Sequence, residues 1–173
     1  MRFDGVDQYI DCGVTPDKMV GEAQGFTILL LSRQWMTVGT EYPFGANETV
    51  ATGKFWILHA ALLAKWGYGD KSSVGVKGIT NADNMILVAV RYRTLDIDYG
   101  RINTQINTID KASEQPLEDR DTSISNNVVL GALNNAGVVQ DFAEIDVTDI
   151  MVYGRYMAQC EASRIYERIK YLR

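Results

Sequence analysis

Acidic residues recur in one short stretch, E-I-D-V-T-D from Glu144 to Asp149. Two carboxylates held across a glycosidic bond are what glycosidases use as nucleophile and general acid. Glu144, Asp146 and Thr148 also form the wet side of an alternating strand, so the plainer expectation is a solvent-facing polar row. His59, the single histidine, lies in the apolar run F-W-I-L-H-A and reads as a core imidazole with a backbone partner. No catalytic triad or zinc site can be built on it, because neither Cys12 nor Cys160 has metal-ligand spacing. The two thiols are expected to stay free. Gly67, Gly69, Gly75 and Gly78 do not lie between a strand and a helix, which excludes a nucleotide-binding glycine loop. The aromatics Trp35, Tyr42, Trp66 and Tyr68 border glycine-rich stretches and could stack on sugar rings or anchor a protein partner, whereas Trp56 reads as core.

These residues must be positioned by strands. R-F-D-G-V-D-Q-Y-I-D-C-G predicts two short extended pieces about a turn at Asp4-Gly5, as an edge hairpin or a bent first strand. Thr15, Pro16 and Asp17 read as a polar turn. In G-F-T-I-L-L-L-S-R, Phe26, Ile28 and Leu30 share one face and Thr27, Leu29 and Leu31 the other, so the strand is expected to be central and covered on two sides. Residues 36–54 carry Gly39, Pro43, Gly45 and Gly53 and predict a long loop or a poorly paired hairpin. Residues 55–69 mix helix- and strand-favouring types and are assigned to strand from their neighbours. Met85 to Val90 is a further apolar run. T-L-D-I-D-Y-G predicts a hairpin turning at Gly100, and Glu114 to Asn127 a charged surface loop. In the last stretch Ala143, Ile145, Val147, Met151 and Tyr153 are expected on one strand face. Apolar spacing then turns helical at Ala158, Ala162, Ile165, Ile169 and Leu172.

Many short strands parted by Gly, Asn and Asp turns indicate one all-β domain over residues 1–173, a two-sheet antiparallel sandwich closed by a short C-terminal helix. At 173 residues with 46% hydrophobic content, one core suffices and disorder is disfavoured. No apolar run approaches the roughly 20 residues that span a bilayer. A formal charge of −5 disfavours a nucleic-acid partner. Arg164, Arg168, Lys170 and Arg173 form the one basic cluster and read as a solvated helix face at the negative end of the dipole. The start M-R-F-D-G-V-D has no apolar segment of the secretory kind, so the chain is expected to be made in the cytoplasm without a signal peptide.

F-D-G-V-D-Q-Y-I-D-C-G, G-F-T-I-L-L-L, V-A-V, L-D-I-D-Y-G, V-V-L-G-A and I-M-V-Y-G-R-Y-M-A-Q-C-E, in that order, resemble concanavalin A-like jelly-roll domains of the laminin G and pentraxin type, as found in phage virion proteins. Phe3, Asp4, Gly5, Asp7, Tyr9 and Ile10 supply that family's first-strand motif, and Tyr153, Arg155 and Glu161 its closing strand and helix. Leu31, Met85 and Leu87 depart from it, as do Met157, Ala158 and Gln159, which offer no capping oxygen. The resemblance implies a sandwich whose first strand lies beside the closing one. It also makes calcium a candidate ion, with Asp119, Asp121, Asn126 and Asn127 as weak candidate ligands. E-I-D-V-T-D is similar to the E-I-D-V-x-E pattern of jelly-roll glucanases. Asp149 in place of the last Glu moves a carboxyl by about 1.5 Å, where about 1 Å of misplacement can cost about 100-fold.

The expected function is therefore that of a non-enzymatic structural or attachment module, a capsid decoration or fibre-type protein of a bacteriophage virion. It would join a protein lattice or other virion proteins, be oligomeric in that assembly, and contact host-surface glycans. Trp35 and Tyr42 on one stretch and Arg120 on another are its expected anchors, with Trp66 and Tyr68 as further glycan or partner candidates. No cofactor is expected. The alternative is a carbohydrate-binding lectin domain, with calcium as the candidate ion. A β-glucanase stands third.

Overall fold

The computed structural model describes residues 1–20, 25–34, 40–48, 54–60, 63–69, 71–72, 76–77, 86–96, 99–106, 109–110, 115–117 and 124–169, and from 58 to 117 it describes backbone path and pairing. β1 (Arg2–Asp4) and β2 (Ile10–Asp11) precede a helical turn, α1 (Pro16–Val20), and β3 (Gly25–Gln34). Next come β4 (Thr40–Asn47), β5 (Lys54–Ala60), β6 (Leu63–Gly69), β7 (Lys71–Ser72) and β8 (Val76–Lys77). β9 (Ile86–Asp96) and β10 (Tyr99–Ile106) lead into β11 (Ile109–Asp110) and β12 (Gln115–Leu117). β13 (Val129–Leu130), β14 (Leu133–Asn135), β15 (Val138–Gln140) and β16 (Glu144–Tyr153) precede the closing helix α2 (Gln159–Ile169).

The first sheet has the order β1-β16-β3-β9-β10-β11, with β12 on β10; the second runs β15-β14-β4-β5-β6-β7, with β13 bridging β2 and β4 and β8 on β6. The result is a jelly-roll β-sandwich with a short C-terminal helix. Pairing is antiparallel throughout the described strands except between β14 and β4, which run parallel. Phe3, Phe26, Ile28, Leu30, Ile145 and Val147 of the first sheet meet Phe44, Ala46, Phe55 and Ile57 of the second in one core. Leu29 and Leu31, on the other side of β3, pack with Met157 and Ala162 under α2. β3 is thus central and covered twice, as its two apolar faces predict.

The first segment is neither an edge hairpin nor a single bent strand. β1 pairs with β16 in the first sheet and β2 with β13 in the second, so the turn at Asp4-Gly5 ties the two sheets together. Its anchor is Phe3, whose ring lies where a Cβ on Gly131 would come within 2.4 Å; Gly131 also has φ +88°, so glycine is required there twice over.

Further expectations change: Gln115–Leu117, within the expected surface loop from Glu114 to Asn127, form strand β12 paired with β10. Thr15 to Asp17 opens a helical turn: the Thr15 hydroxyl bonds the Asp17 carboxylate and Met19 N–H donates to the Thr15 carbonyl at 3.0 Å. Residues 36–54, expected as a long loop or a poorly paired hairpin, hold strand Thr40–Asn47, which pairs antiparallel with β5 through a bulge between Glu41 and Phe44 that accommodates Pro43. Tyr99 pairs with Asp96, so the β9–β10 turn comes before Gly100. In β16 a bulge between Val147 and Asp149 inverts the alternation. Ile150 and Val152 then join Ile145 and Val147 on the core side, while Met151 and Tyr153 go under α2. Residues 55–60 and 63–69 are strands, as assigned.

Candidate functional site

Alternation along β4 and β5 sends Phe44, Ala46, Phe55 and Ile57 into the core, which leaves Gly45 and Trp56 on the outer face of the second sheet. The β4 bulge sets two residues, Tyr42 and Pro43, against one on β5, and so brings Tyr42 onto that same face. Its ring meets the Trp56 indole edge-on, with centroids 5.4 Å apart and an interplanar angle of 88°. Leu133 of β14 completes the cluster. Gly45 faces Trp56 across the ladder, and a Cβ there would lie 2.4 Å from the Trp56 Cβ, so only glycine leaves the indole its place. On the other side Trp56 is paired with Gly67.

Trp56 is only 9% exposed, while Tyr42 is half-buried and supplies the accessible part of the pair. Burial, and then the Asp141 carboxylate, push the Tyr42 phenol above its usual value, so its hydroxyl stays a neutral donor. Asp141 is in place because its carbonyl accepts the Tyr42 N–H at 3.5 Å. At one end of this face the Asn47 carbonyl accepts from Asn126 Nδ2 at 3.0 Å and from the Ala136 N–H at 3.1 Å. The Oδ1 atoms of Asn47 and Asn135, which are paired in register, are buried without a hydrogen-bond partner.

The expected site residues are distributed unevenly. Tyr42 lies on this face. Trp66 and Tyr68 belong to β6, in register with Ile57 and Phe55, and their side chains lie outside the described residues. Asn126 is tied to Asn47, and Asn127 donates to Asp11 Oδ2 at 3.2 Å while its carbonyl accepts Asn134 Nδ2 at 2.9 Å. Trp35, Asp119, Arg120 and Asp121 lie outside the described residues. Among the described residues no group of three or more His, Cys, Asp or Glu side chains could hold a metal ion. Glu144, Asp146 and Asp149 do share the outer face of the first sheet, but Asp146 is engaged by Arg33 at 2.7 Å and Glu144 by Arg2 at 3.8 Å. Trp56 is buried, as expected, but in a separate cluster with Leu133 and Tyr42 on the outer side of the second sheet, a grouping that sequence reasoning missed. The signal was the alternation Phe55-Trp56-Ile57, which puts the tryptophan opposite two core residues once the segment is a strand.

No family model matches the chain, nor does any curated protein. Among solved structures it is similar to the CBM40 of the Ruminococcus gnavus IT-sialidase, with TM-score 0.69 and 14% identity over 96% of this chain and 98% of that one. The same module bound to α2,3-sialyllactose gives TM-score 0.64. A variant of the NanB sialidase from Streptococcus pneumoniae aligns at TM-score 0.67 and 14% identity, over 94% of this chain but 27% of that one. The chain thus spans the whole of one neighbour and about a quarter of the other. At these identities the likeness establishes the sandwich fold.

Proposed function

We propose that the protein is a non-catalytic carbohydrate-binding module that takes a glycan on the outer face of its second sheet. The observation that carries this is the edge-on Tyr42–Trp56 pair, seated on Leu133 between two glycines. Trp56 and Leu133 hold the Tyr42 ring in one orientation, and a fixed ring stacks on a sugar at little entropic cost. α2 covers the outer face of the first sheet; among the described residues no helix covers that of the second. Support comes from neighbours that span the whole chain and are carbohydrate-binding modules, one of them bound to α2,3-sialyllactose. They lend nothing to the virion-attachment expectation.

The test is a glycan array followed by calorimetry with α2,3-sialyllactose and lactose. Binding should weaken about 3–10-fold in Tyr42→Ala, the value of one lost aromatic contact. Folded protein that binds no glycan on the array, or affinity unchanged in Tyr42→Ala, would overturn the proposal.

A further inference from the structure

After β16 ends at Tyr153, the chain turns through Gly154 and lays Arg155 beside the first turn of α2. α2 presses Ala162, Ile165, Tyr166 and Ile169 against the first sheet. Glu161, Arg164 and Arg168 follow one another at three- and four-residue intervals, so they succeed each other along one side of the helix. Together with the buried Met157 these residues enclose a groove of about 210 Å³ lined by Arg155, Met157, Glu161, Arg164, Ile165 and Arg168. Three guanidinium groups share it with one carboxylate, in a chain whose formal charge is −5.

That carboxylate is already committed. Glu161 receives both Arg155 amino groups, at 2.9 and 3.2 Å, and the Ala158 N–H at 3.0 Å. The Arg155 hydrogen bonds and then the Ala158 N–H hold Glu161 below the usual carboxylate range. Arg155 is thereby fixed in position, while the exposed Arg164, which acts on Glu161 only through space, and the exposed Arg168 leave the groove with more positive than negative charge among the described residues. The helix dipole accounts for Arg168, in the last turn, but not for Arg164 in mid-helix or for Arg155, which comes from the connection.

We propose that this groove is a second binding site, for an oxyanion group, carboxylate or sulfate, carried by a ligand whose seated part is no larger than one sugar residue. The planar donor forks of Arg164 and Arg168 match the paired oxygens of such a group. Met157 and Ile165 supply the apolar wall that a carbon skeleton needs and a lone hydrated ion does not. The volume falls short of the roughly 300 Å³ at which drug-sized pockets begin, so the part of the ligand seated in the groove is small. The groove lies on the α2 side of the sandwich, away from Tyr42 and Trp56, so the inference does not rest on the glycan reading.

The experiment is an NMR titration of the full chain, following backbone amides and arginine Nε–H signals. Sulfate, glucuronate and neutral glucose are added at constant ionic strength. Saturable shifts centred on Arg155, Arg164 and Arg168 are expected with sulfate and glucuronate and not with glucose. The Arg164→Gln/Arg168→Gln variant should bind at least about tenfold more weakly, as the loss of one charge-assisted fork implies. Arg164→Lys/Arg168→Lys should fall between, keeping charge without the fork. Glucuronate binding more tightly than sulfate assigns the site to acidic sugars, and equal binding to free oxyanions. Tyr42→Ala should leave the shifts at Arg155, Arg164 and Arg168 unchanged. Shifts that stay linear to the highest concentration, that centre elsewhere in the wild type, or that persist unaltered in the Gln variant would overturn the proposal. The wild-type shift map decides the matter even if a variant does not fold.

Discussion

The Thr27 hydroxyl is bonded to the segment that ends in Met157: it donates to the Arg155 carbonyl and accepts the Met157 N–H, each at 2.9 Å, from partners 128 and 130 residues along the chain. Both backbone groups lie where β16 has ended and α2 has not begun, so neither ladder nor helix can satisfy them. A buried hydroxyl in the central strand does so instead, and fixes where the helix docks.

Thr27→Val keeps the shape and removes both bonds. Because Thr27 is fully buried, stranding a carbonyl and an amide should cost about 1–3 kcal/mol. Urea denaturation measures it. A change below about 0.5 kcal/mol would show that the hydroxyl does not organise the docking.

Gly45→Ala puts a methyl group 2.4 Å from the Trp56 Cβ and 3.0 Å from its Cα, where neither atom can withdraw without moving β5. Overpacking of this kind should cost about 1–3 kcal/mol. The Tyr42–Trp56 pair should be displaced with it, so near-UV circular dichroism should change and glycan binding should fall together. Stability lost with an unchanged aromatic spectrum would place the strain elsewhere.

Glu161 has a folded-state pKa held down by Arg155 and by the Ala158 N–H. A depressed carboxylate stabilises the fold fully above the ordinary glutamate range and loses that contribution as pH falls through its lower folded value. Wild type and Glu161→Gln should therefore differ in Tm at pH 7, the variant lower, and converge once the pH has fallen through the lowered folded value of Glu161, beneath the ordinary glutamate range. A gap that stays constant with pH would assign the effect to shape and not to charge.

Cys12 is half-buried, and burial followed by the neighbouring Asp11 raises its thiol pKa, whereas Cys160 is exposed at the start of α2. Thiolate is the reactive form. A chromogenic disulfide reagent near pH 8 should titrate one thiol quickly and the other slowly, the fast phase vanishing in Cys160→Ser. Loss of the fast phase in Cys12→Ser would reverse the assignment.

What the sequence by itself determined is the part of the fold written in local alternation. The double apolar pattern of Phe26 to Leu31 makes β3 central, and the shift to helical spacing past Ala158 makes α2 close the sandwich. The F-D-G segment, by resemblance, goes beside the closing strand. Tertiary structure decided whatever depends on the partner strand. A bulge is an extra residue measured against a neighbour, so no period-two pattern announces it. The bulge between Glu41 and Phe44 brings Tyr42 to the outer face, and that between Val147 and Asp149 sends Met151 and Tyr153 under the helix. α2 shows the rule at its start. Ala158 offers no capping oxygen, and the hydrogen bond its N–H makes goes forward to Glu161, whose other partner, Arg155, reaches it only after β16 has turned.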